Sequence, residues 1–153
     1  MRSFKILSIL FLSFLFISSS FAASKLSDED MAAVKNTVQE FEKYWDTQDA
    51  DGMEKIISEN ASFVQVIAVT KKNSEFNSSD YLNAIRNKHI GGWERQLDII
   101  NVDAAGNTAF AKVVAKDPRM TSTGFITLVK ENNDWKIVCA TSYMELNQNS
   151  ASR

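Results

Sequence analysis

The apolar residues of this chain change their spacing part-way along it, and that change fixes the kind of fold available. Met31, Val34, Val38, Phe41 and Trp45 recur at steps of three and four, the period of one helix face. From Trp93 onward the apolar residues fall instead in short β-branched and aromatic runs separated by turn residues, the mark of strands. Helices first and then a run of antiparallel strands predict an α+β domain, not the alternating order of a parallel α/β fold.

Ser27-Asp28-Glu29-Asp30 reads as a helix start, with a serine cap and acids in the first turn. That helix should end near Gln48, with a turn at Asp49-Ala50-Asp51-Gly52. Met53, Ile56 and Ile57 then mark a short second helix. A strand is expected over 61–69 and a polar loop over 70–79. Ser79 is expected to cap a third helix that runs to about Lys88 and stops at Gly91-Gly92. Strands over 93–103 and 108–116 should form a hairpin around Ala105-Gly106-Asn107. Strands over 122–131 and 135–145 should flank Asn132-Asn133-Asp134.

The last two strands are apolar on both faces: Phe125, Thr127 and Val129 against Ile126 and Leu128, and Trp135, Ile137 and Cys139 against Val138 and Ala140. A sheet covered on one side only would alternate more cleanly. The helices can cover one face, and the expected cover for the other is a second copy of the chain, giving a homodimer through the sheet.

Residues 1–22 read as a secretory signal peptide. Arg2 and Lys5 precede an apolar run over 6–17, and Ser20 and Ala22 fit a cut before Ala23. Twelve helical residues span about 18 Å, short of the roughly 30 Å needed to cross a bilayer core. The expectation is one domain over 23–153, with an ordered core of about 27–146. It would be exported to a periplasm or the outside, with no stable membrane insertion after cleavage. Without the leader the chain carries 15 basic and 19 acidic residues, a net −4, which argues against nucleic acid as a partner. One cysteine excludes an internal disulfide. One cysteine and one histidine leave no metal-ligand pattern, and no glycine-rich phosphate loop occurs, so neither a metal nor another cofactor is expected.

Three segments carry a family resemblance. They are Glu42 to Asp51, an aromatic helix end followed by an acidic turn; Ile57 to Phe63; and Gly124 to Val138, an apolar strand, a polar turn and then Trp-Lys-Ile-Val. Together they resemble the nuclear transport factor two-like superfamily, nearest its SnoaL-like and lumazine-binding-like branches, over nearly all of residues 27–146. The resemblance implies a cone-shaped α+β fold with helices packed on a bent sheet. It also implies a small, partly apolar molecule bound in an apolar cone cavity. One fold hosts many activities, so two alternatives stand beside a non-catalytic binder. One is a SnoaL- or ketosteroid-isomerase-like enzyme moving a proton on a carbonyl compound. The other is a protein–protein interaction module.

Catalysis would need a carboxylate or imidazole whose pKa is tuned by the cavity. Asp46, beside two aromatics, and His89, the sole imidazole, are the candidates; Asp98 reads as a surface carboxylate. For ligand binding the candidates are Tyr44, Trp93 and Tyr143 as aromatic lining, and Arg95 as a partner for an acidic group. Trp45 and Trp135 read as core.

Overall fold

The computed structural model describes residues 26–147, in the order α1 (Asp28–Thr47), α2 (Ala50–Glu54), β1 (Ile57–Ile67), β2 (Lys72–Asn77), α3 (Ser78–Arg86), β3 (Gln96–Ala105), β4 (Thr108–Lys116), β5 (Met120–Glu131) and β6 (Asp134–Leu146). The leader expected over 1–22 lies outside the described residues. The six strands form one sheet in the order β2-β1-β6-β5-β4-β3. β1 and β6 pair in parallel and every other pair is antiparallel. α1 packs against β3 and β6, and α3 against β1 and β2, so the sheet wraps the helices.

α1 starts as its sequence predicts: the Ser27 hydroxyl accepts from the Asp30 N–H at 3.0 Å, and three acids fill the first turn. Val34, Val38, Phe41 and Trp45 are buried along one face. They meet Phe63 of β1, Ile126 and Leu128 of β5 and Ile137 of β6 in a single core. Phe41, Phe63 and Tyr81 lie nearly parallel within it, with Phe63 and Tyr81 ring centroids 4.0 Å apart.

Four local expectations are corrected. Ile57 opens β1 rather than continuing α2, because its backbone pairs with Ile137 of β6. The expected loop over 70–79 contains β2, an edge strand paired antiparallel to β1. α3 is capped by Asn77, whose side chain accepts from the Asp80 N–H, and not by Ser79. Cys139 lies on the face opposite Trp135 and Ile137. The β5–β6 register slips between Thr127 and Leu128, and this bulge turns the following residues over. Ala140 and Met144 therefore join the core.

The outer face of the sheet carries Phe110, Phe125 and Tyr143, each about two-fifths exposed, and the two phenylalanine rings stack at 6.0 Å.

Candidate functional site

Gly91 and Gly92 decide where the site forms. α1 ends at Gln48, in the left-handed region with φ 56°. The Gln48 amide donates to the Ile90 carbonyl at 3.0 Å, and the Gly92 N–H donates to the Trp45 carbonyl at 3.2 Å. Gly91 has φ 76°, and a Cβ on it would lie 2.2 Å from the Trp45 carbonyl oxygen. Only glycine lets the chain lie this close to the last turn of α1. The residues that follow run back along the helix, which brings Trp93 edge-on to Trp45 at 5.0 Å and Arg95 beneath it.

Arg95 is held on four sides. Its Nε donates to Asp46 Oδ1 at 2.6 Å, its backbone N–H to Asp46 Oδ2 at 3.1 Å, and its Nη2 to Glu42 Oε2 at 2.8 Å. Its guanidinium carbon lies 3.9 Å from the Trp45 ring centroid, a cation–π contact. Glu42 and Asp46 are four residues apart and so share one helix face. Burial pushes the Glu42 carboxyl above the ordinary carboxylate range. Arg95 pulls it back and the Asp46 charge adds to the rise. Burial also raises the Tyr81 phenol above its usual value, and the Glu42 charge reinforces the shift.

Beside this cluster a pocket opens between α1, α3 and the concave face of β1, β6 and β5. Strand register explains its floor. Gln65 pairs with Ser142, and Ser142 with Gly124, so an amide, a hydroxyl and a bare backbone follow one another across three strands. Ser122, two residues before Gly124, points to the same side. A Cβ on Gly124 would lie 2.8 Å from Val113 Cγ2, so a side chain fits here only if Val113 shifts. Gln65 and Ser122 are both buried, and neither side chain has a hydrogen-bond partner among the described residues. Phe41, Trp45, Phe63 and Tyr81 form the aromatic wall. The space open to a water-sized sphere is about 30 Å³, and the void counted out to the open mouth is about 420 Å³. The expected apolar cavity is thus corrected: the cone is mostly filled by core side chains, and its remaining pocket joins an aromatic wall to a polar floor.

Of the residues singled out by sequence, the fold brings together Asp46 and Arg95, with Arg95 on the pocket lining. Trp93 lies one ring further out, between Trp45 and the Arg119 guanidinium at 4.7 Å, and its Nε1 is buried without a hydrogen-bond partner among the described residues. The other candidates stand apart. Tyr44 packs on Gly52 of α2, His89 is exposed just past α3, and Tyr143 is on the outer face of the sheet. Sequence reading missed Glu42, Gln65 and Ser122. Each had a signal: Glu42 falls four residues after Val38 on the buried stripe, and Gln65 continues the inward alternation of Ala61 and Phe63. Ser122 and Gly124 likewise precede Ile126 and Leu128 in period two.

Helices packed on a six-stranded sheet, with a pocket between them, give the nuclear transport factor two-like fold, which solved structures share. The fold is similar to a protein of unknown function from Methylobacillus flagellatus, with TM-score 0.66 and 18% identity over 80% of this chain and 96% of that one. A second neighbour of unknown function, from Shewanella baltica, has TM-score 0.65 and 19% identity over 76% and 94%. A ketosteroid isomerase-like protein from Erwinia carotovora atroseptica has TM-score 0.63 and 9% identity over 77% and 98%. The family model described as "putative lumazine-binding" matches residues 29–143, and the chain belongs to that family. No curated protein matches it in sequence.

Proposed function

We propose that this domain binds a small molecule at the concave pocket and carries out no reaction on it. The observation that carries this reading is the pair of buried polar residues, Gln65 and Ser122, whose side chains face the pocket with no partner among the described residues. Their polar atoms keep contact with the pocket's solvent, which a ligand could replace, and an aromatic wall with a few convergent polar groups is the usual make-up of a small-molecule site. The space open to a water-sized sphere is about 30 Å³, room for one compact group, so the rest of a ligand would lie at the open mouth. We also take the chain to be exported after cleavage before Ala23. Its exposed Phe110, Phe125 and Tyr143 would then meet a second copy through the sheet.

Native mass spectrometry of the protein purified from an exporting host tests all three parts. The expected species is a dimer of chains beginning at Ala23 that carries a defined extra mass. That mass should be lost on Gln65→Leu with Ser122→Ala, and the dimer lost on Phe125→Glu. A wild-type species that stays empty after exposure to host metabolite extract refutes the binding reading.

A second reading, proton transfer on a bound carbonyl compound, is favoured by one feature: Glu42 lines the pocket with its carboxyl held above the ordinary range. Under that reading the base is Glu42 rather than Asp46 or His89. Turnover would rise through the titration of Glu42 and vanish in Glu42→Gln.

A further inference from the structure

We propose that the pocket discriminates by charge: it admits a compact uncharged or cationic group bearing N–H or O–H donors and turns away carboxylates and phosphates. The proposal rests on the reading that the pocket binds a small molecule, and it fixes the class of that molecule.

The charges around the pocket are unbalanced in a definite direction. Arg95 is the one cation among the lining residues, and its Nε, Nη2 and backbone N–H are all engaged by Asp46 and Glu42. Its flat face lies on Trp45, and only 4% of its side chain is exposed. With both carboxyls ionised, two carboxylates surround one guanidinium, a net −1 in a desolvated setting where charge is felt strongly. On Glu42, Oε2 takes the bond from Arg95, while Oε1 receives no hydrogen bond from the described residues and remains an acceptor. The floor groups, Gln65, Ser142 and Ser122, are neutral and can accept as well as donate. An anion entering here would meet Glu42 and Asp46 ahead of any unshared positive charge, because Arg95 already serves both carboxyls and only its Nη1 is left unengaged among the described residues. A donor without negative charge would meet several acceptors at once. A site discriminates by such repulsive elements as much as by attractive ones.

Three ligands of one shape separate the possibilities: benzamide, benzylamine and benzoate. They are titrated into ¹⁵N-labelled protein purified from an exporting host, and the amide signals of Gln65, Ser122 and Ser142 are followed. Benzamide and benzylamine should move these signals, and benzoate should bind about tenfold more weakly or worse. In Glu42→Gln, which keeps the side-chain shape, benzylamine should weaken and benzoate should gain, so that the discrimination shrinks by about tenfold. The variant's spectrum away from the pocket reports that it is folded. Benzoate binding as tightly as benzamide overturns the proposal, and so does discrimination unchanged by Glu42→Gln. Silence from all three ligands overturns the small-molecule reading itself, an outcome distinct from binding without selectivity.

Discussion

α1 is fastened to the sheet side of the molecule at both ends, and the two fastenings differ in one physical variable. At its first turn, Asp30 Oδ1 accepts from Lys130 Nζ at 2.6 Å and from Trp135 Nε1 at 3.0 Å, with both charged side chains about one-quarter exposed. Near its last turn, Glu42 and Asp46 hold Arg95, whose side chain is 4% exposed. The chemistry is alike and the solvent is not. In the wet clasp, hydrogen bonds from Lys130 and then Trp135 hold the Asp30 carboxyl below its ordinary value. In the dry clasp, loss of water outweighs the cation and Glu42 goes the other way. The same kind of ion pair therefore shifts a carboxyl's proton affinity down at one end of a helix and up at the other.

The largest expected effect comes from breaking the dry clasp at its centre. Arg95→Met leaves two carboxylates together in a desolvated place and should cost about 3–5 kcal/mol in urea unfolding at neutral pH. The loss should shrink in acid, where the carboxyls take up protons. Undiminished loss at pH 4 would show that packing on Trp45, rather than charge, sets the effect.

Changing one charge at each end sharpens the contrast, because the two pH dependences have opposite sign. Glu42 binds its proton more tightly in the folded chain than its ordinary value of 4.5 allows. Between that value and its raised one the folded state therefore holds more proton, and its contribution to stability falls as pH rises. Glu42→Gln should gain on the wild type as pH climbs above about 4.5. Asp30 is the mirror case. Its carboxyl is held below 3.8, so its contribution is present above that value and disappears as pH falls through the folded-state value. Asp30→Asn should be destabilised at neutral pH and converge with the wild type in strong acid. Both curves come from urea midpoints over pH 3–7; slopes of the same sign would refute the comparison.

The smallest effect is that of salt. At about 1 M sodium chloride the screening length is near 3 Å. The loss caused by Asp30→Asn should then diminish, while that of Arg95→Met should stay nearly constant.

How far these features could be read in the sequence depended on whether the cause was local. β4 matches its expected bounds, because its alternation and its glycine turn are properties of neighbouring residues. The stripe of α1 is equally plain, yet in the sequence Glu42 on that same stripe is one acid among many. β2 was not legible: Lys72–Asn77 is polar on both faces but for Phe76, and only pairing with β1 makes it a strand. The bulge that turns Cys139 outward is likewise set by a partner strand. In the site, nothing in the sequence links Asp46 to Arg95, 49 residues away. Their union depends on Gly91 and Gly92 docking on α1, a contact made across more than forty residues.

The position of β6 sets a timetable for folding. It is the last strand of the described chain and lies in the interior of the sheet, parallel to β1, with Ala140 beside Phe63. While the chain is being synthesised, β1 can find only β2, and α1 and α3 face half a sheet. Closing so long a loop is slow, since its entropy must be spent before the contacts repay it. Completion must therefore wait for residues 134–146, and a chain cut short before them lacks the strand that joins β1–β2 to β5–β4–β3. Such a fragment would expose two strand edges and the apolar face of α1 together, the form most open to aggregation and proteolysis.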